Sequence, residues 1–174
     1  MRVFTAVEIP EGIKDNLLNA SALFDGKGIT LVKKDALHIT LQFLGERRED
    51  EIEEIKKDIE SIDEPAFNVS FKGLSYFEHN HPSVIFAKVV NGRQNLINIY
   101  NKLSSTILEK EGEYTPHATI ARVRYAKDNL ALISKIKGHE NDDFGSYGVV
   151  SILLKKSTLT QDGPVYKDLY EKKL

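Results

Sequence analysis

The residues best suited to chemistry in this chain come in two matching sets. His38-Ile39-Thr40-Leu41 and His117-Ala118-Thr119-Ile120 share one pattern, a histidine and a threonine two positions apart inside an apolar run. Alternate side chains of a β-strand share a face, so His38 and Thr40 point one way while Ile39 and Leu41 point the other. The second copy repeats this with His117 and Thr119. If the two strands meet, two imidazoles face each other with two hydroxyls beside them. Imidazole, with an ordinary pKa of about 6.5, lets one copy begin neutral and the other charged near neutral pH. Such a pair suits in-line displacement at phosphorus, where one group takes a proton from the nucleophile and the other protonates the departing oxygen. Thr40 and Thr119 can donate to nonbridging phosphate oxygens, whose charge grows as phosphorus becomes pentacoordinate. A threonine nucleophile fits less well, because the pattern holds no activating amine.

The elements that must position these residues also repeat. Residues 2–8 alternate as a strand, and Pro10 marks the entry to a helix carrying Ile13, Leu17 and Leu18. Residues 37–44 form the strand of the first motif, ended by Gly45. Ile52, Ile55, Ile59 and Ile62 give a helix closed by Asp63-Glu64-Pro65, and residues 66–75 read as a strand broken by Gly73. The plan then restarts. Residues 84–90 form a strand, Asn91-Gly92 a turn, and Leu96, Ile99, Tyr100, Leu103 and Ile107 a helix stopped at Gly112. Residues 117–124 carry the second motif. Leu130, Ile133 and Ile136 predict a short helix ending near Gly138, and residues 147–155 a final long strand. The expectation is an α+β protein of two similar lobes with a groove between them. It forms one domain over 1–174, with approximate repeats 1–80 and 81–174 that can exchange a strand.

Composition sets the outer bounds. With 174 residues and 41% apolar content the chain can bury a sizeable core, and ordinary proportions of charge, Gly and Pro argue against disorder. Zero cysteines exclude disulfides and thiolate catalysis. The opening Met1 to Glu8 is too short and too soon charged for a signal peptide, and no apolar stretch is long enough to span a membrane. A cytoplasmic location is expected. A formal charge of −2 argues against a wide basic face, while leaving room for local recognition of one phosphate or an RNA end.

The flanks of the motifs carry a resemblance. Arg2 to Pro10, Leu37 to Glu46, Thr115 to Arg122, and Ser157 followed by Gly163-Pro164-Val165-Tyr166 together resemble the 2H phosphoesterase superfamily over essentially the whole chain. They are closest in character to its RNA 2′,3′-cyclic phosphodiesterase branch, formerly described as 2′–5′ RNA ligase. The resemblance implies a duplicated two-lobed fold with antiparallel sheets, outer helices and a central groove. It also implies hydrolysis of an RNA terminal 2′,3′-cyclic phosphate to a 2′-phosphate and a 3′-hydroxyl. In that scheme His117 is the base, His38 the acid, and Thr40 and Thr119 hold the phosphate. The implied substrate is an RNA bearing such an end, tRNA fragments among them, acted on by a monomer without a cofactor. Joining RNA halves through a 2′–5′ bond, and a noncatalytic RNA-end-binding module, are the alternatives.

Further contacts are expected from the surroundings. Arg122 resembles the family's arginine after the second motif, although ideal alternation puts it on the face opposite His117 unless a bulge, twist or side-chain reach intervenes. Tyr76 and Phe77 are candidates for stacking a terminal base. Phe43 shares the apolar parity of Ile39 and Leu41 and reads as core. Lys33, Lys34, Arg124, Lys155 and Lys156 are cations that RNA phosphates or plain solvent could claim. His79, His81 and His139 invite a metal reading, but their neighbours are polar and turn-like and show no carboxylate–histidine signature. No metal site is expected.

Overall fold

The computed structural model describes residues 1–106 and 113–174. In chain order the elements are β1 (Arg2–Glu8), α1 (Glu11–Ala22), β2 (Ile29–Leu31), a 3-10 turn at Lys34–Ala36, β3 (His38–Glu46), α2 (Glu49–Glu60), β4 (Phe67–Glu78) and β5 (Pro82–Val89). There follow α3 (Arg93–Thr106), β6 (His117–Val123), α4 (Asn129–Lys137), β7 (Asp143–Val149), β8 (Ser151–Thr160) and β9 (Gly163–Lys173). Local chemistry sets several boundaries. Pro10 supplies an extended cap before α1, and the Asp128 carboxylate accepts from the Ala131 N–H at 3.0 Å to start α4. Glu49, Asp50 and Glu51 fill the first turn of α2, where negative charge complements the exposed N–H groups.

All the strand pairings are antiparallel, in the order β7-β4-β5-β6-β3-β1-β8-β9, with β2 added alongside β6. The sheet has two halves, β7-β4-β5-β6 and β3-β1-β8-β9, that meet at β3 and β6. Chain order and spatial order are interleaved. β4, which follows the first motif, lies in the half that carries the second, and β8 and β9 return to pair beside β1. The helices cross over too: α1 packs on β6 and β7, and α3 packs on β3. The result is the α+β fold with outer helices implied by the family resemblance. Among the described residues, no helix is long and apolar enough to cross a membrane.

The structure corrects four readings of the sequence. β4 runs unbroken through Gly73, which lies within a register shift against β5 and just after one against β7. Leu130 is exposed, and α4 buries Leu132 in its place beside the expected Ile136. The single final strand expected at 147–155 is the end of β7 and the start of β8, divided at Val150, and a further strand, β9, follows the 160–163 hairpin. Phe43 is not core, for a reason given below. Ile107 and Gly112 lie outside the described residues.

Gly73 sits at φ +79°, and an added Cβ would lie 2.0 Å from the Glu140 carbonyl oxygen, a backbone atom that cannot swing away. Replacing Gly73 with Ala combines strain with overlap, so urea denaturation should show a loss of about 3 kcal/mol or more with an unchanged m-value.

Candidate active site

The two motif strands touch. β3 and β6 run antiparallel with Ile39 opposite Ala118, and both residues are fully buried. Leu41 and Ile120 extend the same apolar face into the core. Alternation therefore sends His38, Thr40, His117 and Thr119 to the other face. There, antiparallel order sets His38 toward Thr119 and His117 toward Thr40. All four line one cavity of about 300 Å³, together with Phe43, Phe77, Arg122 and Tyr166.

A paired irregularity explains how the flanking residues reach this cavity. Along β1 and β3 the register passes from Ala6↔Thr40 to Thr5↔Gln42, leaving Leu41 unmatched. Along β5 and β6 it passes from Phe86↔Thr119 to Ile85↔Ala121, leaving Ile120 unmatched. The fourth residue of each motif is thus the extra residue of a β-bulge, and the inside–outside alternation inverts beyond it. Gln42 and Ala121 become buried, while the fifth residue after each histidine turns to the cleft. After His38 that residue is Phe43, which is 65% exposed rather than packed in the core. After His117 it is Arg122, which resolves the parity conflict in favour of the cavity.

The aromatic residues divide. Phe77 lines the cavity and meets His117 edge-on, with ring centroids 4.9 Å apart. Tyr76, its neighbour in β4, alternates away, packs against the core, and does not line the cavity. Two contacts were missed from the sequence. Tyr166 on β9 meets His38 edge-on at 5.3 Å, and Phe4 on β1 lies 5.0 Å from the same ring. The Gly163-Pro164-Val165-Tyr166 segment was the available signal for Tyr166, but its strand had not been recognised. Beside the main cavity lies a second of about 230 Å³, reached past Thr40, Phe43, Phe77 and His117 and walled by Tyr100 and Tyr114.

Hydrogen bonds fix both rings. His117 Nδ1 lies 2.6 Å from the Thr115 carbonyl, which can only accept, so Nδ1 carries the proton and a neutral His117 presents a bare Nε2. His38 is bonded to the carbonyl of Ala36, also two residues upstream, and its Nε2 lies 2.9 Å from Thr40 Oγ1. In neutral His38 the Thr40 hydroxyl therefore donates to Nε2. Burial drives the His38 pKa down to about 4, helped by the Lys155 ammonium and opposed by the Glu8 carboxylate and the Ala36 bond. Burial also lowers the His117 pKa, against the Thr115 bond and with the Arg122 guanidinium. Both imidazoles are therefore neutral at pH 7.

The other cations and histidines sort themselves by their partners. Lys33 lines the cavity and donates to the Asp162 carbonyl at 2.7 Å. Lys34 is tied to Glu11 and Asp15. Lys155 is buried between Glu8 and Asp168, which removes it from the set available to flanking RNA. His81 bonds the Pro82 carbonyl and His139 pairs with Asp142. Among the described residues, no group of three His, Cys, Asp or Glu side chains could hold a metal ion.

Residues 17–145 match the model of the 2′-5′ RNA ligase superfamily. The chain belongs to that superfamily. Within it the chain falls in the RNA 2′,3′-cyclic phosphodiesterase family. The protein of that name from Methanocaldococcus jannaschii is 38% identical over 98% of this chain and 99% of its own length. Another, from Thermotoga maritima, is 33% identical over 98% and 94%. A solved Thermus thermophilus structure superposes with a TM-score of 0.84 at 27% identity, covering 100% of this chain and 98% of that one. E. coli LigT complexed with 3′-AMP shares the fold, with a TM-score of 0.81 at 22% identity and coverage of 99% and 97%.

In this family member, the depressed His38 pKa is also a statement about stability. The unfolded chain protonates His38 near pH 6.5, whereas the folded chain does so only near 4. The contribution is therefore complete above about pH 6.5 and is lost as pH falls toward 4, on the order of 3 kcal/mol in all. Chemical denaturation between pH 7 and 4 should show a smaller loss in His38→Gln than in the unaltered protein.

Proposed function

We propose that this protein hydrolyses RNA 2′,3′-cyclic phosphate ends to a 2′-phosphate and a 3′-hydroxyl by paired-histidine acid–base catalysis. The observation that carries the reading is the facing arrangement of two imidazole–hydroxyl pairs across one cavity. Water bound at His117 gives its proton to the bare Nε2 and attacks phosphorus opposite the 3′ oxygen. The bond from phosphorus to that oxygen breaks, and His38 supplies the proton the oxygen takes. Thr119, and Thr40 once His38 is protonated, donate to the nonbridging oxygens as their charge grows. Arg122 supplies a fixed positive charge at the same cavity, and Phe77 offers a face for the terminal base.

The charge beside His117 supports its role as the base. The charge that acts on His117 is the Arg122 guanidinium, which disfavours imidazolium and suits a base. His38 stands opposite Glu8 across β1 and β3, whose carboxylate favours imidazolium, while burial and the Lys155 ammonium oppose it more strongly. Because His38 is neutral in the empty site, it gains its proton when the anionic phosphate arrives. No cofactor enters either proton transfer. The substrates are RNA ends of this chemistry, tRNA fragments among them, and the protein works as a cytoplasmic monomer. The chain is one domain built from related halves, 1–80 and 81–174.

The second cavity favours one further reading. It opens on His117 and not on His38, so a ribose 5′-hydroxyl held there could replace water and yield a 2′–5′ linkage. A noncatalytic end-binding module has less support, since both histidines and both threonines are present.

His38→Ala and His117→Ala should each lower turnover of a cyclic-phosphate RNA by about 10²- to 10⁴-fold while circular dichroism stays unchanged. Thr40→Val and Thr119→Val should each cost about 10²-fold, chiefly in kcat. Undiminished turnover in folded forms of both histidine variants would overturn the mechanism. Incubating the cyclic-phosphate RNA with a 5′-hydroxyl RNA and separating the products should give a terminal 2′-phosphate in excess. A 2′–5′ linked product with negligible hydrolysis would make ligation the main reaction.

A further inference from the structure

Beneath the first motif lies a charge cluster that the proton transfers do not use directly. Lys155 on β8 is 6% exposed, and its Nζ contacts Glu8 and lies 2.7 Å from Asp168 Oδ1. Its backbone pairs with Phe4, whose ring lies against His38, and its side chain reaches along β1 to the carboxylate of Glu8. Glu8 is itself the strand partner of His38. The ammonium and the carboxylate therefore bear on the same imidazole from one face of the sheet, with opposite sign. Glu8 and Asp168 are half-exposed, so water can stabilise both carboxylates, whereas Lys155 is enclosed. Placing a lysine there to stabilise the fold is poorly motivated, because an apolar side chain of similar length would do as well.

Resting on the acid role assigned to His38, we propose that Lys155 is a positioning residue whose buried ammonium offsets the Glu8 carboxylate at the His38 ring and adds to burial in holding that ring unprotonated until an anionic phosphate enters the cleft. Glu8 is paired with Lys155 and Lys14, and the Lys155 charge outweighs its own at the ring. The substrate phosphate then tips the balance, so His38 becomes an acid only in the occupied site. The remaining groups around the ring agree with this division. Lys14, from α1, adds to the cationic side. From β9, Asp168 holds Lys155 and Tyr166 presents its ring edge. Arg122 and Lys33 line the same cavity, and Thr40, on His38's own strand, bonds Nε2.

The test is an NMR titration of the His38 ring, identified by the resonance lost in His38→Ala, paired with the pH dependence of kcat. Lys155→Met should raise the His38 midpoint by about one unit or more and move the alkaline limb of kcat upward with it. Glu8→Gln should shift the midpoint the other way, and Lys155→Arg, which keeps the charge, should restore the original titration. Opposite shifts from the two halves of one ion pair are not what a purely structural role would give. A folded Lys155→Met protein whose His38 titrates as before would overturn the proposal, as would shifts of the same sign in Lys155→Met and Glu8→Gln. The titration needs no turnover, so an inactive protein with the expected shifts would refute the catalytic reading while upholding the role of Lys155.

Discussion

Ile39 and Ala118 face each other at the seam where β3 meets β6, and neither exposes any surface. Their contact holds the two halves of the sheet in register, with Leu41 and Ile120 buried alongside. A slip of one residue in either strand would turn its histidine and threonine into the core and its two apolar residues out to the cleft. Burying an Ile or Leu side chain is worth about 1.5–3 kcal/mol, so such a slip costs several kcal/mol before any polar penalty is counted. The small Ala118 lets the strands approach at the one point where they join. The apolar members of the motifs thus determine where the polar members stand.

The bulges at Leu41 and Ile120 extend this arrangement. Without them each strand would offer the cleft only one imidazole and one hydroxyl, and the next inward positions would be Gln42 and Ala121. The inserted residue inverts the alternation once, in the same place on both strands, and brings Phe43 and Arg122 to the cavity. It also leaves Leu41 and Ile120 buried, so the core loses nothing.

How far the site was legible follows from the range of each signal. His38, Thr40, His117 and Thr119 could be read because their arrangement depends only on period-two alternation over three residues. Arg122 was ambiguous and Phe43 misread because a bulge at an ordinary leucine or isoleucine has no signature in side-chain type. β9 escaped notice because, at the edge of the sheet, it buries few side chains and shows little alternation. Tyr166 was lost with it. Tyr76 and Phe77 were adjacent candidates, and only the phase of β4, which Gly73 shifts, decides between them. Lys155 looked like a surface cation because the carboxylates that enclose it, on β1 and β9, are brought to it by the fold.

A site built from two similar strands has a difficulty that its symmetry creates. Matched imidazoles and hydroxyls would accept a phosphate in either orientation, and only one orientation places water at the base and the ribose oxygen at the acid. What breaks the symmetry is the fifth residue after each histidine and the charge behind it. The Arg122 guanidinium acts on His117, while His38 feels the opposed charges of Lys155 and Glu8. Both imidazoles are biased against protonation, His38 the more strongly, and the opposed charges beside His38 leave its proton to an arriving anion. The motifs make both proton transfers available, and the unlike flanks give them a direction.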